Sequence, residues 1–160
     1  MGKQLFSVDD ARQHARKRLP RMMFDFIDGS SGDETLCGLN SAAIDEIRLM
    51  PRVLVDVSDR SLSSSILGLE TGLPFGIAPM GMCGLAWPGA DRYLALEAAR
   101  RRMPLCVSTA SSMTLEQINE IAEGHAWFQL YADQSGDFVN ELVDRAAAAA
   151  YEVLILTVDV

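Results

Sequence analysis

Four apolar runs in this chain each end on residues able to bind or do chemistry. Phe75-Gly76-Ile77-Ala78 meets Pro79-Met80-Gly81, and the run around Cys106 meets Ser108-Thr109. The run around Phe128 ends in Gln129-Leu130-Tyr131, and the run around Ile155 ends in Thr157-Val158-Asp159. Proline has no N–H for a sheet ladder, so the first run stops at Pro79. Beyond it, Gly81, Gly84 and Gly89 alternate with Met80, Met82, Leu85 and Trp87. A loop this apolar is poorly suited to plain solvation. Glycine lets backbone pass close to a flat or bulky group because no Cβ stands in the way. Taken alone, the stretch would serve equally as a tight turn capping a buried strand. Polar side chains at the same end of the next three runs favour a binding site.

The segments between the runs read as helices. Residues 91–102 place Leu94, Ala95, Ala98 and Ala99 on one side, with Glu97, Arg100 and Arg101 on the other. Thr114-Leu115-Glu116-Gln117 is a capping box, Leu115, Ile118, Ile121 and Ala122 face inward, and Gly124 ends the helix. Residues 137–150 group Phe138, Leu142, Val143 and Ala146 and carry an alanine run. Apolar strands alternating with helices predict a parallel sheet covered by helices. A doubly wound sheet would carry G-x-G-x-x-G after its first strand, and none is present. A (β/α)8 barrel instead gathers functional residues at the carboxyl ends of its strands, as seen here.

Upstream, Ser7 caps a helix whose Val8, Ala11, Ala15 and Leu19 recur until Pro20. Residues 21–27 form a second short helix, 28–32 a loop, and 35–46 a third helix with Leu36, Leu39, Ala43 and Ile47 on one face. Residues 49–57 and 62–69, split by Ser58-Asp59-Arg60, read as a small accessory sheet. The expected division is an N-terminal helical segment with accessory strands over 1–73, then barrel units over 74–160.

The composition, 49% hydrophobic and 22% charged over 160 residues, is that of a globular domain. A net charge of −8 argues against a nucleic-acid partner, which needs clustered cations. Arg12, Arg16, Lys17, Arg18 and Arg21 are the local exception and read as a solvated helix face. Cys37, Cys83 and Cys106 form no C-x-x-C pair, and only His14 and His125 accompany them, so no zinc site is expected. The scattered thiols fit a reducing compartment, with Cys106 simply buried. No apolar run follows the basic start as in a signal peptide, and none approaches a membrane span. Met1-Gly2 lacks the Ser or Thr of a myristoylation site, where Phe6 stands.

In order, FDFIDG at 24–29, PRVLVDV at 51–57 and IAPMGMCGLAWP at 77–88 are followed by three further motifs. These are VSTASSMTLEQI at 107–118, FQLY at 128–131 and LTVDV at 156–160. Across nearly the whole chain this resembles the FMN-dependent α-hydroxy-acid dehydrogenase/oxidase family, and the GLAWP version is closer to its bacterial lactate and mandelate dehydrogenases than to plant glycolate oxidases. The resemblance implies a (β/α)8 barrel that oxidises an L-2-hydroxy acid to a 2-oxo acid with FMN. Its flavin contacts fall on Pro79, Met80, Gly81, Ser108, Gln129 and Thr157, and its substrate pocket on Phe26 and Tyr131. Three departures stand out. Phe26 replaces a tyrosine hydroxyl, Met80 replaces the usual threonine, and Ala110 replaces the tryptophan of glycolate oxidase. The family's histidine base, substrate arginines, flavin-side lysine and phosphate site lie beyond the equivalent of Val160, so this stretch carries the flavin-binding half and by itself is expected to be inactive. His14 and His125 read as structural or surface residues.

The resemblance leaves quinone, cytochrome and oxygen open as electron acceptors, with Gly81 leaning toward a dehydrogenase. It implies a homo-oligomer that is cytoplasmic or peripheral at the inner membrane face. The alternative is a half-barrel without catalysis that acts only as a partner or structural chain.

Overall fold

The computed structural model describes residues 5–132 and 136–158, and the chain divides into two compact units, Met1–Asp59 and Arg60–Val160. Met1, Gly2, Asp159 and Val160, named above, lie outside the described residues.

In the first unit, α1 spans Val8–Arg18. Ser7 Oγ accepts from the Asp10 amide at 3.0 Å, and the Asp10 carboxylate accepts from the Phe6 amide at 3.2 Å. Asp9 and Asp10 fill the first turn and Arg16, Lys17 and Arg18 the last, so the basic cluster complements the helix dipole. Pro20 begins α2, Arg21–Asp28, where a missing N–H costs nothing. Arg12 grips Asp28 with both Nε and Nη2, at 2.5 and 2.9 Å, and ties α1 to α2. This fork holds the Asp28 carboxyl below its ordinary range. α3 covers Thr35–Asp45.

The strand expected over 49–57 does not form. Leu49, Met50, Val53 and Leu54 are more than four-fifths exposed, Pro51 has no N–H to pair, and Leu54 sits at φ +59°.

The second unit opens with a hairpin of β1 (Ser64–Ile66) and β2 (Leu69–Thr71), paired antiparallel. The run expected as one strand over 62–69 is therefore folded on itself. Leu67 and Gly68 both have positive φ, 54° and 83°, the arrangement of a two-residue hairpin turn. Then follow α4 (Cys83–Ala86), α5 (Ala90–Arg101), β3 (Leu105–Ser108), α6 (Leu115–Ile121), β4 (Ala126–Tyr131), α7 (Gly136–Ala148) and β5 (Leu154–Thr157).

Strands β3, β4 and β5 are parallel and adjacent in that order. The strand expected around Ile77 is reduced to a bridge: the Ile77 amide donates to Pro104 and its carbonyl accepts from Cys106, alongside β3. Gly76 sits where a Cβ would come within 2.5 Å of the Pro104 carbonyl, and Pro79 then closes the run. The capping box is present, with Thr114 Oγ1 accepting from the Gln117 amide and Gln117 reaching back to Thr114.

The core lies on one face of the sheet. Leu105, Val107, Phe128 and Leu130 pack against Ala95 and Ala98 of α5, Leu115 and Ile118 of α6, and Leu142 and Ala146 of α7. Phe128 is fully buried and meets Tyr151 edge to face, with ring centroids 6.1 Å apart. The Tyr151 hydroxyl donates to the Leu115 carbonyl at 2.9 Å, and its burial raises its pKa. Because strand side chains alternate, Cys106, Ser108, Trp127, Gln129, Ile155 and Thr157 lie on the opposite face. Cys106 is accordingly half-buried on that face and not part of the core, which corrects the sequence expectation. Its partial burial still pushes the thiol pKa up.

Candidate functional site at the strand carboxyl ends

Parallel strands bring their last residues to a common edge. Ser108 stands opposite Gln129 in the β3–β4 register, and Tyr131 opposite Thr157 in the β4–β5 register. The bridge at Ile77 sets Pro79, Met80 and Gly81 at the same edge beside β3. A Cβ added to Gly81 would stand 3.2 Å from the Ala110 Cβ and 3.7 Å from Ser108 Oγ, so the glycine-rich stretch passes directly over the end of β3.

Hydrogen bonds knit this edge together. Ser108 Oγ accepts from the Ala110 amide at 3.1 Å, and the Met82 amide donates to the Ala110 carbonyl at 2.8 Å. Gln129, only 2% exposed, donates through Nε2 to Thr157 Oγ1 at 2.6 Å and accepts at Oε1 from the Thr109 amide at 3.4 Å. The loop is fixed further along its length. Gly84 donates to Ser112 Oγ at 2.9 Å, and the Ser112 amide donates to the buried carboxylate of Asp91, at the start of α5, at 3.2 Å. A Cβ on Gly84 would come within 2.9 Å of the Ser112 side chain. α4 lies inside the glycine-rich stretch, which carries no helical period of apolar residues. Cys83 points its thiol toward the Met80 carbonyl at 3.5 Å, and burial, then Asp91, push its pKa up.

Six sequence-predicted residues, Pro79, Met80, Gly81, Ser108, Gln129 and Thr157, thus share one edge of the second unit with Tyr131. Phe26 lies on α2 in the first unit and is 58% exposed. Sequence reasoning did not single out Asp91 or Ser112, and it read Thr109 only as a strand end. Asp91 alone had a usable signal, an acid in the first turn of a helix next to a glycine. The edge carries no Lys or Arg at 79–82, 108–112, 129–132 or 157–158, so its chemistry is that of amides, hydroxyls and apolar surface. Among the described residues no group of three or more His, Cys, Asp or Glu could hold a metal, and no helix is long and apolar enough to cross a membrane.

Parallel strands helix-covered on one face, with neutral polar groups and a glycine-rich loop at their carboxyl ends, define an α/β protein of barrel type. Residues 15–160 match the family model of FMN-dependent dehydrogenases, and the chain belongs to that family. It is 38% identical over 160 residues to the (S)-mandelate dehydrogenase of Pseudomonas putida, covering all of this chain and 40% of that protein. With the L-lactate dehydrogenase of Caulobacter sp. (strain K31) it shares 37% over 153 residues, 96% of this chain and 40% of the other. The structure of an oxidized active mutant of (S)-mandelate dehydrogenase superposes with TM-score 0.91 at 38% identity, over 98% of this chain and 44% of that one. The chain therefore spans about two fifths of the length of the curated relatives it matches. The open sheet is the N-terminal part of a (β/α)8 barrel.

Proposed function

We propose that Pro79, Met80, Gly81, Ser108, Gln129 and Thr157 form one wall of an FMN cradle in a protein that oxidises an L-2-hydroxy acid to a 2-oxo acid. The observation that carries this reading is the buried Gln129 amide, bonded to Thr157 and flanked by Ser108, at the edge over which Gly81 passes. A primary amide has two N–H donors and an oxygen with two lone pairs. Thr157 Oγ1 accepts from one N–H and the Thr109 amide donates to one lone pair of Oε1, leaving capacity for one donor and one acceptor toward a ligand. An uncharged wall with paired donor and acceptor groups fits the edge of a planar heterocycle, and Gly81 keeps its face approachable. FMN, when bound, supplies the acceptor for the two electrons leaving the hydroxy acid.

The chain's own contribution is binding and orientation. Tyr131, 44% exposed at the end of β4, offers a hydroxyl to the substrate. Ala110 leaves room for a larger substrate side chain. In this reading residues 74–160 are the first half of the barrel and residues 1–73 the segment preceding it. The complete protein is a homo-oligomer passing electrons to quinone, cytochrome or oxygen. Of a cytoplasmic and a membrane-peripheral setting, the second is supported by a relative, 37% identical, described as the monotopic membrane protein (S)-mandelate dehydrogenase.

The test is a flavin-reduction screen of the full-length gene product against lactate, glycolate and mandelate. One FMN per chain and anaerobic bleaching by one of these acids are expected. A purified protein free of flavin that takes up none on reconstitution overturns the reading. Residues 1–160 expressed alone are expected to hold FMN poorly and to oxidise none of the three.

A further inference from the structure

The β3–β4 ladder ends in an unusual way. The Leu105 amide donates to the His125 carbonyl, and in a parallel ladder this alternation repeats every second residue. Two steps on, the Thr109 amide should donate to the Gln129 carbonyl and the Thr109 carbonyl should accept from Tyr131. Neither role is filled by the backbone of Thr109. Its side-chain hydroxyl fills both, donating to the Gln129 carbonyl at 2.7 Å and accepting from the Tyr131 amide at 3.1 Å. The displaced Thr109 amide turns to Gln129 Oε1. A backbone N–H can only donate, so the oxygen of the Gln129 amide must face it and the Nε2 must face Thr157.

We infer that Thr109 is a positioning residue for the cofactor and substrate wall: its hydroxyl replaces the β3 backbone at the end of the ladder and fixes the backbone of Tyr131, and the amide it displaces from the ladder fixes the orientation of the Gln129 side chain. The consequence for ligand binding rests on the proposed function, whereas the consequence for the Tyr131 amide does not. Valine is the same shape as threonine but has no hydroxyl, and serine keeps the hydroxyl without the methyl. Thr109→Val therefore removes the hydroxyl partner of the Gln129 carbonyl and the Tyr131 amide and frees the residue 109 amide to return to the ladder, away from Gln129 Oε1, while Thr109→Ser preserves all three bonds.

The experiment uses the full-length gene product and has two readouts. The first is amide hydrogen exchange at Tyr131, which needs no flavin. The second is FMN Kd by fluorescence titration of the apoprotein, together with KM for the best hydroxy acid. Thr109→Val is expected to speed Tyr131 exchange and to raise the FMN Kd and KM about ten-fold each, the size expected for one lost hydrogen bond to an oriented group. Thr109→Ser is expected to stay within about two-fold of wild type. In a Gln129→Ala background, adding Thr109→Val should raise the FMN Kd far less than it does alone, because the group being oriented is gone. Unchanged Tyr131 exchange in Thr109→Val, or loss of protection in Thr109→Ser, overturns the inference. Faster Tyr131 exchange in Thr109→Val, with a wild type that itself takes up no FMN, would instead uphold the positioning role and sink the flavin reading. If Thr109→Val does not fold, Thr109→Ser decides: wild-type exchange sustains the hydroxyl's role and lost protection refutes it.

Discussion

α3 in the first unit and α6 in the second make an instructive pair. Both carry apolar residues at helical spacing, and α3 is the longer, with 11 residues against 7. On α3, Leu36, Leu39 and Ile44 are 67, 60 and 68% exposed. On α6, Leu115 and Ile118 are 6 and 1% exposed. The difference is what lies beneath. α6 rests on a parallel sheet whose Val107, Phe128 and Leu130 form a continuous apolar face, whereas Phe24 is the sole buried hydrophobic residue among the described residues of the first unit. An apolar stripe makes a helix able to be buried, and a second apolar layer is needed to bury it.

The contrast can be broken at its strongest point first. Phe128→Ala in the second unit is expected to cost about 3–5 kcal/mol in urea unfolding, as for other fully buried aromatics. Leu39→Ala on α3 should change stability by less than about 0.5 kcal/mol, as exposed substitutions do. A cost at Leu39 approaching that at Phe128 would mean this face is covered in solution and would erase the distinction.

A smaller effect tests the loop over the sheet edge. Gly84→Ala places a Cβ against Ser112 and is expected to cost about 1–3 kcal/mol. Part of that loss should return in the double variant with Ser112→Gly. A neutral Gly84→Ala would show that the loop is looser than its hydrogen bonds to Ser112 and Ala110 indicate.

The smallest effect compares two forks, Arg145–Glu116 between α7 and α6 and Arg12–Asp28 between α1 and α2. The bond from Arg145 pushes the Glu116 carboxyl down to about 2 from an ordinary value of 4.5. A depressed acid pKa stabilises the fold above the unfolded value, and that contribution disappears as pH falls toward the folded one. The stability difference between wild type and Glu116→Gln should thus be present at neutral pH and shrink between about pH 4.5 and pH 2. Both side chains are close to half exposed, so the amplitude should fall below that of either substitution above and fade in salt. A difference that grows on acidification would contradict the assignment.

Local chemistry made much of this legible in the sequence. Ser7 and Thr114 cap helices where their types predict, Pro20 separates α1 from α2, and the three apolar runs around Cys106, Phe128 and Ile155 are the parallel strands. The misses occurred where partners decide the outcome. Residues 49–57 are rich in β-formers and form no ladder, the run over 62–69 doubles back at Leu67-Gly68, and Ile77 pairs at a single bridge. Strand propensity describes a residue's fit to a pleated surface, and it cannot supply the neighbour.

The sequence by itself determined which residues stand at the strand ends, because alternation and Pro79 fix where each apolar run stops. It also determined the family, through motifs in a set order. Only the tertiary structure decided that the Thr109 hydroxyl would take over ladder bonds, that Gln129 would face Thr157, and that Asp91 would hold Ser112 beneath the glycine loop. The partners in these bonds are separated by 20, 28 and 21 positions along the chain. No local preference encodes such a meeting. It follows from the register of packed parallel strands, which places a given amide opposite a given hydroxyl.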